Sequence, residues 1–399
     1  MRYGRSLFAE EFSKTGMPRL MMTLNTRFFL RENVQPEILL TALRDTLKLY
    51  PVFGFTFERD GDKIYFADDD EPVSIYETDK IHVPDWVKFG RHLFFVGYCG
   101  NMISISVDHR LSDGSGVQLF FGKMLERYSQ LLAGTAEEII GPAYDVSLML
   151  RQNPEIPHKE YQLYQPFTCE GEMLRLPALN MGKPYRNFIC RVDEQLFMNY
   201  VRQHETTALA AISQMIDNGI FSLGTFKGDY IRTSFVISSK KALGMERSFM
   251  NLLEFGTIDI THAEANDPSC LKRVCADVKG QITEENIRAL ALHSRDYDPV
   301  SCSTYTCSYL RLSGVHSELI EKHQSVPLFF GPVPKVDVRA GGGLMEFIVA
   351  GSPECEILYN GVKAGLVAAG FNILNEECLL IETENDVLTV VTEDSFQNA

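Results

Sequence analysis

Two hydrophobic periods alternate along nearly the whole chain, one of two residues and one of about 3.6, and a sequence written this way folds as strands layered against helices. The pattern is clearest between His92 and Gly134. HLFFVGYCGNMISISVDH reads as a β-hairpin turning at Gly100-Asn101, and its outgoing strand, Met102 to Asp108, delivers His109 to its C-terminal end. RLSDGSG then reads as a loop, and VQLFFGKMLERYSQLLAG as a helix, with Ser115 and Gln118 placed as a capping box.

The same alternation runs outward from this unit. LMMTLNTRFFL reads as a strand, VQPEILLTALRDTLKLYP as a helix opened by Pro36 and stopped by Pro51, and FGFTFERDGDKIYF as a hairpin. From about Gly134 to Arg186 the period weakens and prolines accumulate, which marks an interdomain crossover. Beyond it come the strand NFICRV, a helix capped by Asp193, a helix from Thr207 to Asn218, and one or two helices between Asp267 and His293. DYIRTSFVISS, NLLEFGTIDI, STYTCSYLRL, LMEFIVAG and CEILYNGV read as strands. A length of 399 residues fits two domains of about 200 residues each, divided here as 1–180 and 181–399.

Composition excludes several classes. A formal charge of −15 and the lack of a basic stripe argue against nucleic-acid binding, since that affinity comes from Lys and Arg neutralising phosphates. The pairs Lys240-Lys241 and Lys272-Arg273 read as solvated surface, with a site for a small phosphorylated cofactor as the alternative. Nine cysteines with no CxxC pair, and an opening stretch MRYGRSLFAEEFSKTG without an apolar core, lead us to expect a reducing cytoplasm. Cys270, Cys275, Cys302 and Cys307 read as packing cysteines rather than metal ligands. No apolar run approaches the roughly 20 residues of a membrane span, and neither a P-loop nor H-E-x-x-H occurs.

The segment that can carry chemistry is His109-Arg110-Leu111-Ser112-Asp113-Gly114, an H-x-x-x-D-G at a strand-to-helix junction. Histidine is the side chain whose unperturbed pKa lets it take and return a proton near neutrality. At a strand end, with Gly114 letting the backbone bend, its imidazole can project into a cleft while Asp113 orients the loop. The same residues also read as a strand-end histidine bonded to backbone, followed by an ordinary turn and helix start. His204, His293, His316 and His323 fall at helix ends or on helical faces, where a surface role is expected.

SISVDHRLSDGSGVQLFFGKMLERYSQLLAG resembles the active-site segment of the H-x-x-x-D-G acyltransferases of the chloramphenicol-acetyltransferase superfamily, most closely the bacterial alcohol acetyltransferase-like (condensation-domain-like) proteins. LLTALRDTLKLYPVFGFTF and VDEQLFMNYVRQHETTALAAISQMI are similar to the opening helices of its two domains, and FMNLLEFGTIDI, TYTCSYLRLSG and VPLFFGPVP resemble later strands around its channel. The chain departs from that pattern in three places. Asp108 stands where condensation domains usually have a second histidine, the plant enzymes' D-F-G-W-G is absent, and Ser308-Tyr309-Leu310-Arg311 replaces a frequent Ser-Asn-Leu-Gly.

The resemblance implies an α/β (α+β) fold of two chloramphenicol-acetyltransferase-like domains, each a mixed sheet flanked by helices, with a channel at their interface. It implies a cytoplasmic acyltransferase that moves an acyl group, acetyl above all, from a coenzyme A thioester to the hydroxyl or amine of a small molecule. His109 would be the general base, and Asp113 and Gly114 would be structural, with Asp113 paired to an arginine for which Arg19, Arg27 and Arg232 are candidates. Ser308 and Asn251 are candidates for the oxyanion or channel wall. No permanently bound cofactor, metal, nucleic acid or membrane span is implied, and acyl-CoA is a co-substrate. The alternatives are a donor carried on the phosphopantetheine of an acyl carrier protein, and a non-catalytic relative that binds an acyl thioester or a partner.

Overall fold

Alternating residues of one element meet alternating residues of the next, and two large hydrophobic cores result with smaller clusters beside them. A computed structural model describes residues 1–14, 23–69, 71–84, 92–157, 159–176, 185–267, 269–292, 302–311, 319–328, 333–384 and 387–393. In the first half these are β1 (Arg2–Arg5), α1 (Leu7–Ser13), β2 (Thr23–Leu30), α2 (Pro36–Leu49), β3 (Phe55–Asp60), β4 (Lys63–Asp68), β5 (Tyr76–Glu77), β6 (Ile81–His82), β7 (Phe94–Cys99), β8 (Met102–Asp108), α3 (Gly114–Leu132) and α4 (Val146–Met149). The second half holds β9 (Tyr185–Asp193), α5 (Glu194–Gln203), α6 (Ala208–Ser222), β10 (Tyr230–Ser238), β11 (Leu253–Thr261), α7 (His262–Ala265), α8 (Cys270–Gln281) and α9 (Glu284–Leu292). It continues with β12 (Tyr305–Arg311), β13 (Ile320–Ser325), β14 (Lys335–Gly341), β15 (Leu344–Gly351), α10 (Glu356–Ala368), β16 (Asn375–Glu384) and β17 (Val387–Glu393).

Among the described residues the strands form a five-stranded sheet in the order β13-β2-β8-β7-β5, a small sheet β1-β4-β3, and a nine-stranded sheet β11-β10-β12-β14-β15-β9-β16-β17-β6. The five- and nine-stranded sheets are both mixed, the first through the parallel β5–β7 pair and the second through parallel β10–β12 and β12–β14 pairs. In the first lobe Leu39 and Leu43 of α2 and Phe120, Phe121 and Met124 of α3 pack on Ile103, Ile105 and Val107 of β8. In the second lobe α5, α6 and α10 cover one face of the nine-stranded sheet, burying Cys190, Cys307, Val338 and Phe347. No helix among the described residues is long and apolar enough to cross a membrane.

CEILYNGV, expected as a strand, belongs instead to α10. Its apolar positions Leu358, Tyr359, Val362 and Leu366 continue at helical spacing, and its glycines serve contact rather than turning. A Cβ on Gly365 would lie 1.7 Å from the Met215 carbonyl oxygen, and one on Gly219 1.8 Å from that of Gly361, so α6 and α10 meet backbone to backbone.

The two lobes exchange strands. β13, from the second half, pairs with β2 at the edge of the first lobe's sheet, and β6, from the first half, pairs with β17 at the edge of the second lobe's. Lys322 and Gln324 of β13 reach the Glu377 carboxylate at 2.9 and 2.8 Å. Arg191 holds Glu377 at 3.0 Å and Glu346 at 2.7 Å. Between them His323, expected on a helical surface, lies in β13 with Nε2 2.7 Å from Thr26 Oγ1 and its ring 5.0 Å from that of Phe28. Burial, with the nearby Arg339 and Arg191, pulls its imidazole down to about 3, so it stays neutral.

A second buried polar contact ties α6 to the sheet: the Tyr305 hydroxyl donates to Asp217 Oδ1 at 2.9 Å, and Asp217 has no exposed surface. Burial pushes the Asp217 carboxyl well above the ordinary carboxylate range. A carboxyl that holds its proton more tightly when folded loses stability as pH rises through and above its unfolded pKa of about 3.9. Urea denaturation of Asp217→Asn should therefore match the wild type near pH 4 and exceed it in stability at pH 8. An Asn variant less stable at pH 8 than at pH 4, relative to wild type, would contradict this reading.

Candidate active site

β8 is buried along its whole length, and its last residue turns the chain. Asp108 donates its N–H to the Leu93 carbonyl and accepts Leu111 N–H on its own, at 2.8 and 2.9 Å. Its carboxylate Oδ1 accepts the Arg110 backbone N–H at 2.9 Å and Nε at 2.7 Å, while Oδ2 takes the same guanidinium. Arg110 is buried, with its guanidinium 5.4 Å from the centre of the Phe57 ring. His109 stands between these two residues and faces out of the turn.

The helix that follows begins two residues earlier than a Ser115–Gln118 capping box would place it. Asp113 is the N-cap of α3: its Oδ1 accepts Gly116 N–H at 2.9 Å and the Ser115 hydroxyl at 2.7 Å. Its Oδ2 lies 2.7 Å from Lys240 Nζ, and both side chains are more than nine-tenths buried. Lys240, read from sequence as surface, is thus the cation expected to be an arginine. Arg19 lies outside the described residues, Arg27 donates to the Asp79 carbonyl at 3.0 Å, and Arg232 grips Asp259 with both oxygens at 2.7 and 2.6 Å.

Lys240 arrives on a segment of the second half that enters the first lobe. Phe249 and Met250 belong to the first lobe's core, with the Phe249 ring 5.3 Å from those of Phe53 and Tyr50. The Ser112 hydroxyl donates to the Phe249 carbonyl at 2.8 Å, and Gly116 is required there because a Cβ would meet Ser112 Oγ at 2.1 Å. Anchored this way, the segment sets Asn251 against the imidazole, its amide nitrogen 3.3 Å from His109 Nδ1. The other amide atom, Oδ1, is buried without a hydrogen bond. The two ends of an amide have the same shape, and a half-turn of Asn251 lets Oδ1 accept Nδ1–H.

The imidazole also bonds its own backbone carbonyl, as an N–H donor. Nε2 then carries the lone pair; it has no hydrogen-bond partner among the described residues, and it is not one of the buried, unpaired polar atoms. Desolvation is the largest influence on the ring and pulls its pKa below the ordinary histidine value. The bond to its own carbonyl, Asp113 and Asp108 act upward, and Lys335 of β14 acts downward. The ring of Phe8, on α1, lies 6.3 Å away.

On the far side stands the face of the nine-stranded sheet opposite its helices. Tyr305 and Cys307 of β12 point into the second core, so Thr306, Ser308 and Leu310 point the other way. Leu310 reaches the first lobe, where a Cβ on Gly114 would be 3.7 Å from Leu310 Cδ2. Ser308, one strand repeat back on the same face, pairs in register with Asp337, which Lys335 holds at 3.0 Å. The Ser308 hydroxyl has no partner among the described residues. His109, Asp113 and Gly114 are therefore brought together with Asn251 and Lys240, while Ser308 lies farther along the facing sheet. The stretches 312–318 and 329–332, within the strands expected around a channel, lie outside the described residues.

Sequence reasoning missed Lys240 and the Asp108–Arg110 pair. The second was legible, since opposite charges two residues apart flank His109; the first was not, because only the fold brings residue 240 to residue 113. Among the described residues no group of three His, Cys, Asp or Glu side chains is arranged to hold a metal.

Neither a protein-family model nor a curated protein sequence matches the chain. Solved structures do match its fold. Polyketide synthase associated protein 5 from Mycobacterium tuberculosis aligns over 87% of this chain and 94% of its own, with a TM-score of 0.62 and 13% identity. The first condensation domain of the CDA synthetase aligns over 94% and 99%, with a TM-score of 0.61 and 10% identity. TRI101 of F. sporotrichioides, solved with coenzyme A and T-2, aligns over 85% and 93%, with a TM-score of 0.55 and 10% identity. At these identities the likeness is one of architecture, and the chain has the two-lobed fold that condensation domains and TRI101 share.

Proposed function

We propose that this chain is an acyltransferase that moves an acyl group from a thioester to the hydroxyl or amine of a small acceptor, with His109 as general base. The observation that carries this reading is the imidazole itself. Its Nδ1 faces the Asn251 amide, its pKa lies below the ordinary value, and its Nε2 has no partner among the described residues, at a seam to which both lobes contribute. The neighbour solved with coenzyme A and T-2, and those that are condensation domains, support a thioester donor.

Nε2 takes the proton as the acceptor oxygen or nitrogen attacks the thioester carbonyl. The carbon–sulfur bond then breaks, the pair leaves with sulfur, and the thiolate recovers the proton from the imidazolium, so that an ester or amide and a free thiol result. No acyl-enzyme forms. Asp113 does not touch substrate in this scheme, because its two oxygens are used by Gly116, Ser115 and Lys240. Asn251 is engaged with His109, and Ser308, whose hydroxyl has no partner among the described residues, is the other side chain we assign to the channel wall or oxyanion, two residues from Leu310 on the facing sheet. The lobes, divided as 1–180 and 181–399, would admit donor and acceptor from opposite sides. Coenzyme A and a carrier-protein phosphopantetheine present the same thioester, and separate assays distinguish them.

Thiol release from acetyl-CoA and from an acetylated carrier protein, measured over a panel of alcohols and amines, tests the reading. His109→Ala should lower kcat/KM by about 10²–10⁴-fold. Because the base must be neutral and its pKa is lowered, kcat/KM should rise through an acid limb centred below about 6.5 and stay level between pH 7 and 8. A variant as fast as wild type on an accepted substrate would remove His109 from the mechanism.

A further inference from the structure

Arg110 is the largest fully buried side chain of the described residues, and its partner Asp108 is equally enclosed. Burying two charges costs more than their attraction commonly returns, and an apolar pair of similar volume serves stability as well or better. This pair also spans only three residues, with three described hydrogen bonds converging on one carboxylate and His109 between the partners. We propose that Asp108 and Arg110 are a positioning pair for His109: their ion pair closes the turn that projects the imidazole, and the guanidinium cancels the carboxylate charge one residue away from it. The ring is thereby kept neutral and in one orientation. This rests on the reading of His109 as a base, and it explains how a carboxylate can adjoin that base without keeping it protonated.

The other groups that face His109 do not duplicate the effect. Asp113 is already paired with Lys240, Lys335 of β14 acts in the opposite sense and is paired with Asp337, Asn251 is neutral, and α1 contributes the ring of Phe8. Asp108 is therefore the carboxylate whose charge on the imidazole depends on Arg110 alone among the described residues.

The full chain, labelled with ¹³C and ¹⁵N in its histidines, allows the His109 ring to be titrated by NMR, its signals assigned by their loss in His109→Gln. In Arg110→Gln the pKa of His109 should rise by about one pH unit or more, because a bare carboxylate favours the imidazolium. Asp108→Asn should lower it, and the double variant should return it to within about half a pH unit of wild type. The double variant, which leaves no buried charge behind, should still lose the single Nδ1–H tautomer, so the test survives if a single variant fails to fold. A wild-type pKa and tautomer in every folded variant would overturn the proposal. None of these readouts uses turnover, so their failure leaves the base assignment standing; conversely, a fully active His109→Ala removes the base while leaving the effect on the ring measurable.

Discussion

Asp113 and Lys240 stand 127 positions apart in sequence and 2.7 Å apart in space, almost wholly removed from water. Removing one member of such a pair leaves a buried charge and costs about 3–5 kcal/mol, so the two lobes are joined at this point by something the protein cannot easily give up. The rest of the site hangs from the same join. Asp113 caps α3, α3 follows the loop that begins at His109, and the strand of chain that carries Lys240 also carries the Phe249 carbonyl for Ser112 and the Asn251 amide for the imidazole. Three contacts from one segment of the second half thus fix a five-residue loop of the first. The surroundings of His109 are therefore set by the docked lobes as well as by its own turn.

The exchange of strands makes that docking durable. Each lobe completes a sheet edge of the other, which covers unpaired backbone groups and places the Lys322–Glu377–Arg191–Glu346 chain of ion pairs and the neutral His323 between the sheets. Rocking one lobe against the other would break backbone ladders and buried charges together. Under the proposed function, access to His109 would then be governed by side chains along the seam, with the surroundings of the imidazole kept.

How much of this was legible in the sequence follows from the range of the interactions involved. Hairpins with a glycine turn, such as the one ending at His109, are written locally: Gly61 and Gly100 adopt positive φ where the turns need it, and the flanking residues alternate. The helix α10 was misread because Gly361 and Gly365 look like strand-ending punctuation in sequence, whereas they let another helix approach. His323 was misplaced because nothing near it announces that its strand joins the other lobe. The cap of α3 was misassigned because Asp113 and Ser115 are both good caps, and the choice is settled by Lys240, which the sequence shows only as half of a basic pair. Elements set by neighbours close in sequence, the Gly100 turn and the strand that ends just before His109 among them, were found; contacts defined by the meeting of the lobes were not.

The central claim is that His109 presents an unprotonated, reachable Nε2 at neutral pH. Diethyl pyrocarbonate acylates unprotonated imidazoles that it can reach, and peptide mass mapping reads each histidine separately. His109 should be modified at pH 7 alongside the exposed His82 and His262, with a rate that is half-maximal below about pH 6.5, while His323, with Nδ1 buried and Nε2 bonded to Thr26, stays intact. Modification of His82 and His262 with His109 untouched across pH 6 to 8 would contradict the account.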